Sequence, residues 1–249
     1  MLTKSAQLAS RLARIALFNP SRLRHVLGSA LVISNDVVDR TRDLLRIPSV
    51  TVDDLLPKDT PLDTRFIAFP KSYASVSVLE YICLVLLVKQ TRQRSIFEFG
   101  TYKGVSISQL ALNLPAEARI YTLDLPDNEN ESCIASLDIE DALIAAEKNK
   151  GDMVPQELRH RIIFLKQNSA KFNEQKFEGQ MDFVFVDGAH DAHFVRNDSE
   201  KGWRMLASKG IIVWHDCCTQ DPAVVRYLIE SLYQPRRIDL TSLAFAVKP

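Results

Sequence analysis

The chain has 249 residues, enough for one large α/β domain and an appendage. Hydrophobic residues make up 46% and charged residues 25%, which excludes disorder by composition. Lys plus Arg equals Asp plus Glu at 31 each, so no net field draws nucleic acid, and that partner class is set aside.

The first 35 residues hold no Asp or Glu but carry Lys4, Arg11, Arg14, Arg22 and Arg24. Leu8, Leu12, Ile15, Ala16 and Phe18 fall on one helical stripe. Such a basic amphipathic helix suits docking on the domain, on a partner, on a second copy of the chain as a homo-oligomer contact, or on a membrane surface. An acid-poor, Arg-bearing start also resembles a transit peptide. No apolar run reaches the ~20 residues that span a bilayer. No apolar core precedes a small-residue cleavage site, so no secretory signal is expected. The four cysteines, Cys83, Cys133, Cys217 and Cys218, lack a C-x-x-C spacing and are read as reduced thiols of a cytoplasmic protein.

Helices are expected over about 3–17, 20–33 and 35–46, broken at Pro20 and Pro48. An extended passage punctuated by Pro48, Pro57, Pro61 and Pro70 follows. This divides the chain into an N-terminal helical and extended segment, 1–74, and a regular domain, 75–249. In the latter a helix is expected over 75–91, its Glu80 embedded in an apolar run. Strands are expected at 95–99, 119–124, 161–165, 181–186 and 210–214, with helices at 105–113, 135–149, 190–207 and from Pro222 to about Tyr233. Two short strands, 236–240 and 243–247, close the chain. Alternation of strand and helix implies a mostly parallel, doubly wound sheet. The last two strands are joined by too few residues for a parallel crossover, so the seventh should run antiparallel.

The stretch Ser95–Gly104 reads strand, tight turn, helix. Gly100 and Gly104 let the backbone approach a ligand, and the following helix offers free N–H groups near Thr101, Tyr102 and Ser106. In a doubly wound sheet such a turn lies at the carboxyl edge, where ligands bind. Asp124 ends the second strand, 20 residues after Gly104. There a carboxylate can accept the hydroxyls of a ribose, or simply be solvated or cap a helix. Glu98 is an acid inside the first strand; burying it alone is costly, so it should hydrogen-bond at the turn. Asn168 and Ser169 follow the third strand and could border an adenine, although turn chemistry alone accounts for both.

Two further strands end in polar residues: Phe183-Val-Phe-Val-Asp187-Gly188-Ala189-His190 and Ile211-Ile-Val-Trp-His215-Asp216. If these strands are neighbours, Asp187, His215 and Asp216 converge beside Gly100. Two carboxylates and an imidazole could hold a divalent ion, which would lower the pKa of a substrate hydroxyl. His190 could take the proton. A rival His/Cys grouping of His190, His193, His215, Cys217 and Cys218 could bind zinc, but no pair has a zinc-finger spacing.

Glu98-x-Gly100-x-x-x-Gly104 resembles motif I of the class I S-adenosylmethionine-dependent methyltransferases. The family often has glycine where Tyr102 stands. Asp-Gly-x-His after the fourth strand, with His-Asp after the fifth, is similar to a subgroup that includes metal-dependent macrolide-sugar O-methyltransferases. The resemblance covers about 75–249 and implies a Rossmann-like sheet of seven strands. It implies S-adenosyl-L-methionine held by Glu98, Gly100, Thr101, Tyr102, Gly104, Ser106, Asp124, Ser169 and Asp187. It further implies His190 as base with Asp187, Asp187 and Asp216 as ligands of Mg2+ or another divalent cation, and a small-molecule hydroxyl as acceptor. His215 stands where the subgroup has an acid, which points to a softer ion, or to no ion. Alternatives are a non-catalytic nucleoside- or partner-binding protein and an NAD(P)-dependent oxidoreductase. The missing third glycine and the antiparallel last strand argue against the oxidoreductase.

Overall fold

The computed structural model describes residues 36–57, 62–67, 76–126, 137 and 139–249. The helices expected over 3–17 and 20–33, the stripe they carry and most of the loop 126–134 lie outside these residues. The chain divides into a unit of residues 1–45, in which residues 36–44 are helical, and a unit running from Arg46 to Pro249. The second unit starts upstream of the 74/75 boundary that the sequence suggests, because Ser49–Val50 forms a strand of its sheet.

That sheet has eight strands in the order β1-β7-β8-β6-β5-β2-β3-β4. The strands are β1 Ser49–Val50, β2 Ser95–Phe99, β3 Arg119–Asp124, β4 Ile162–Lys166, β5 Met181–Val186, β6 Leu206–Trp214, β7 Arg236–Ile238 and β8 Ala244–Val247. Among the described residues of this unit the α-helices are α1 Val78–Lys89, α2 Val105–Leu112, α3 Ile139–Ala146, α4 Gln156–Arg159, α5 Ala192–Met205 and α6 Pro222–Glu230. All pairings from β6 through β4 are parallel, and β8 is antiparallel to both β6 and β7. The expected antiparallel last strand is therefore present. The eighth strand, β1, pairs in parallel with β7 at the far edge. Two residues are too few to show a periodicity, so the sequence does not announce it.

Both central strands, β2 and β5, are buried along their whole length. This is why they read as continuous apolar runs rather than alternating ones: helices cover both faces. β2 lies between β3 and β5, and the order reverses there, so the switch point of the sheet falls at the carboxyl ends of β2 and β5. α1 begins with a capping box: Ser77 Oγ accepts from Glu80 N, and Glu80 Oε2 accepts from Ser77 N at 2.8 Å. The other oxygen of Glu80 accepts from Ser242 N and Ser242 Oγ, both at 2.7 Å, tying α1 to the turn before β8. Among the described residues no helix is long and apolar enough to cross a membrane.

Candidate active site

The turn after β2 is built around two glycines. Gly100 has φ +92°, and a Cβ there would lie 1.9 Å from the carbonyl oxygen of Asp187. Only glycine lets β2 and β5 end this close together. The turn is pinned on both sides, by Gly100 N to Leu123 O and by Asp187 N to Phe99 O, each at 2.9 Å. Gly104 opens α2 at φ +80° with Val154 against it. Tyr102, between them, has φ +43°, which explains why glycine suits this position.

Asp124 holds the turn from below. Its Oδ2 accepts from Thr101 N at 3.0 Å and Tyr102 N at 2.7 Å, and its Oδ1 accepts from Leu125 N at 2.7 Å. An ionised carboxylate has about four acceptor sites, so roughly one remains for an incoming hydroxyl. The expectation that Asp124 takes both hydroxyls of a ribose is thereby narrowed.

Glu98 is fully buried and lies behind the cleft wall rather than in it. It accepts from Ser106 Oγ at 2.5 Å and Thr122 Oγ1 at 2.6 Å, and Thr122 is 2.7 Å from Thr101 Oγ1. Burial pushes the Glu98 carboxyl up to about 8, against the pull of these two hydroxyls. Glu98 thus reaches the cleft only through Ser106, which lines it. Ser169 also lines the cleft, and Asn168 Oδ1 accepts from Ala170 N at 2.8 Å, a local turn bond. Behind them the buried Lys201 ammonium donates to the carbonyls of Ser169, Ala170 and Phe172. Asp198, also in the wall, is raised by burial to about 6.

The cleft bounded by these residues has a volume of about 640 Å³, in the range of small-molecule sites. Its other side carries the residues that follow β5 and β6. α5 starts at Ala192 with Asp191 as N-cap, so His190 precedes the helix expected over 190–207 and stands in the loop. The His190 ring is bracketed by two carboxylates: Nδ1 lies 2.6 Å from Asp141 Oδ1, and Nε2 lies 2.6 Å from Asp216 Oδ2. Asp141 Oδ2 also accepts from His190 N at 2.7 Å. Burial opposes a charged ring, but the bonds and charges of Asp141 and Asp216 outweigh it and hold His190 up at about 11. Asp216 itself takes φ +56°, a strained conformation for a non-glycine residue and one that recurs at functional sites.

His215 sits one layer deeper. Its Nδ1 faces Asp216 Oδ2 at 2.7 Å and Asp187 Oδ1 at 3.1 Å. Its Nε2 lies 3.5 Å from Glu80 Oε2 and makes no hydrogen bond. Burial again opposes the charge, and the surrounding carboxylates hold the ring well above the ordinary histidine value. Among the described residues, the groups with donor atoms within 4.8 Å of one another are Asp187–His190–Asp216 and Asp216–Cys218–Asp221. The carboxylates named from the sequence, Asp187 and Asp216, are brought together as expected. Two ring nitrogens stand beside them: His190 Nε2 at 2.6 Å and His215 Nδ1 at 2.7 Å from Asp216 Oδ2, with His215 Nδ1 also 3.1 Å from Asp187 Oδ1. Neither group contains His193, His215 or Cys217, so the His/Cys grouping is not assembled.

Sequence reasoning missed Asp141, which lies 49 residues from His190 in an unremarkable stretch, Ile-Glu-Asp-Ala. It noticed Glu80 as an acid in an apolar run, but nothing local pointed to Ser242 and His215 as its companions.

The profile of a family described as methyltransferase domain matches residues 97–217, the stretch from β2 to the residues just after β6. A comparison with curated proteins gives no significant match. Among solved structures, an S-adenosylhomocysteine-bound methyltransferase from Podospora anserina is 16% identical, with 72% of this chain and 82% of that one covered and a TM-score of 0.51. A candidate caffeoyl-CoA O-methyltransferase from Staphylococcus aureus is also 16% identical, with 70% of this chain and 85% of that one covered and a TM-score of 0.50. At these identities the likeness is one of fold. The switch-point cleft and the Gly100–Gly104 turn agree with the profile match: residues 97–217 are similar to the methyltransferase domain family, and the sheet has the Rossmann-like methyltransferase fold.

Proposed function

We propose that this protein transfers a methyl group from S-adenosylmethionine to the hydroxyl of a small molecule, with His190 accepting the proton. The carrying observation is that His190, Asp187 and Asp216 open onto the same cleft as the Gly100–Gly104 turn. The cofactor assignment is supported by the Podospora structure, which holds S-adenosylhomocysteine, and by the Staphylococcus protein's description as an O-methyltransferase. The residues present fit the cofactor: Gly100, Thr101, Tyr102 and Gly104 line the cleft at the switch point, and Asp124 retains an acceptor site for a ribose hydroxyl.

S-adenosylmethionine supplies a methyl on a sulfonium; its C–S bond breaks as the C–O bond forms, leaving S-adenosylhomocysteine. The chain's own work is positioning and removal of one proton. Asp187 and Asp216 line the cleft and offer oxygens that would orient the acceptor hydroxyl. His190 Nε2 shares its proton with Asp216 at rest, so that proton must first pass to Asp216 before Nε2 accepts the one from the hydroxyl. Asp187 and Asp216 would also suit a divalent cation, whose Lewis acidity would favour the alkoxide and leave His190 Nε2 free to take the proton.

The test is transfer of tritiated methyl from S-adenosylmethionine to a small-molecule extract. We expect His190→Ala to lower the rate by about 100-fold or more, as loss of a positioned base does. Binding of S-adenosylhomocysteine should be unchanged. Equal transfer by the variant would remove His190 from the mechanism and favour a non-catalytic binding role for the bracketed ring.

A further inference from the structure

We infer that Asp141, on α3, is the positioning residue of His190: its carboxylate fixes both the place of the loop and the proton on Nδ1, so that Nε2 alone faces the cleft. This rests on the reading of His190 as proton acceptor. The geometry is a two-point grip. One oxygen of Asp141 takes the main-chain N–H of His190 at 2.7 Å, and the other lies 2.6 Å from Nδ1 of the same residue. An ionised carboxylate only accepts, so Nδ1 must carry hydrogen while the grip is intact. A rotation of the ring about its Cβ–Cγ bond would break the second contact, and a shift of the loop would break the first.

The placement gives the grip a purpose. His190 stands in a loop between β5 and α5, without helical hydrogen bonds to hold it. Its neighbour on the Nε2 side, Asp216, belongs to the site itself and must exchange partners during reaction, so it cannot serve as the fixed support. Asp141 can: it is 6% exposed, and it comes from an element that also contributes Leu143 and Ile144 to the cleft wall. A carboxylate that fixes the ring orientation and tautomer of a basic histidine is a recurrent solution to proton abstraction. Here it is supplied from a helix distant in sequence rather than from either strand end.

Asp141→Asn is nearly isosteric and separates position from tautomer. The amide oxygen can still accept from His190 N, while its NH2 would donate to Nδ1 and drive the ring proton to Nε2. Three readouts decide. Long-range 1H–15N spectra, with the His190 signals identified by their loss in His190→Ala, should show Nδ1 protonated in the wild type and unprotonated in Asp141→Asn. Transfer of labelled methyl to the small-molecule extract should fall by about 100-fold or more in Asp141→Asn, with S-adenosylhomocysteine affinity within about 3-fold of wild type. Asp141→Glu, which keeps the acceptor, should recover at least about 10-fold of the lost rate. An Asn variant with the wild-type ring spectrum, or with a wild-type transfer rate, overturns the inference. If His190→Ala itself retains full transfer, the reading of His190 as base fails, and the ring spectrum of Asp141→Asn still decides whether the grip exists.

Discussion

Glu98→Gln offers a quantitative test of how the turn after β2 is supported. The carboxyl is fully buried, and burial raises it from 4.5 to about 8. A raised acid binds its proton more tightly folded than unfolded. Its contribution to stability is therefore fully present below pH 4.5 and is lost as pH rises toward about 8. The full swing is the 3.5-unit difference between those values, at about 1.4 kcal/mol per unit, or roughly 5 kcal/mol. Glutamine has no proton to lose, and its amide can accept from Ser106 while donating to Thr122, which passes its own hydrogen to Thr101. Urea unfolding of both proteins at several pH values between 5.5 and 8 gives the difference in stability, in which groups common to both cancel. We expect wild type to lose roughly 3 kcal/mol relative to Glu98→Gln across that range. A difference that stays flat would refute the claim that Glu98 is buried without a counter-charge.

Gly100→Ala must place a Cβ 1.9 Å from the Asp187 carbonyl at φ +92°. Strain and overpacking together should cost about 2–5 kcal/mol, read as a lower midpoint in urea, with loss of cleft ligands even where the protein stays folded. Glu80→Ala removes the acceptor of Ser77 N, Ser242 N and Ser242 Oγ and one of the carboxylates around His215. Leaving a buried cation under-compensated typically costs about 3–5 kcal/mol, so Glu80→Ala and Glu80→Gln should both unfold at clearly lower urea than wild type, with Ala the lower of the two because Gln keeps an acceptor oxygen.

The sheet was legible because its central strands are covered on both faces and so read as apolar runs. β2, β3 and β5 fall on the residues expected, and β4 and β7 differ by no more than two residues at an end. The site was legible where it sits on strand ends, as with Asp187, Asp216 and the glycine turn, because a strand end is a local signal. Contacts between distant segments carry no such signal. Asp141 meets His190 across 49 positions, and Glu80 meets Ser242 across 162, through packing that no spacing rule encodes. His215 shows the same limit: its place after β6 could be read, but whether its ring faced an ion or the carboxylates depended on Glu80 behind it.

The central claim is that the carboxyl ends of β2, β3, β5 and β6 surround one sulfonium nucleoside. Isothermal titration of S-adenosylhomocysteine into the wild type and Asp124→Ala tests it most directly. Saturable one-to-one binding is expected, weakened by about 10- to 150-fold when the carboxylate that holds Thr101 and Tyr102, and that we propose meets the ribose, is removed. No heat of binding at millimolar ligand, or equal affinity for both proteins, would contradict it.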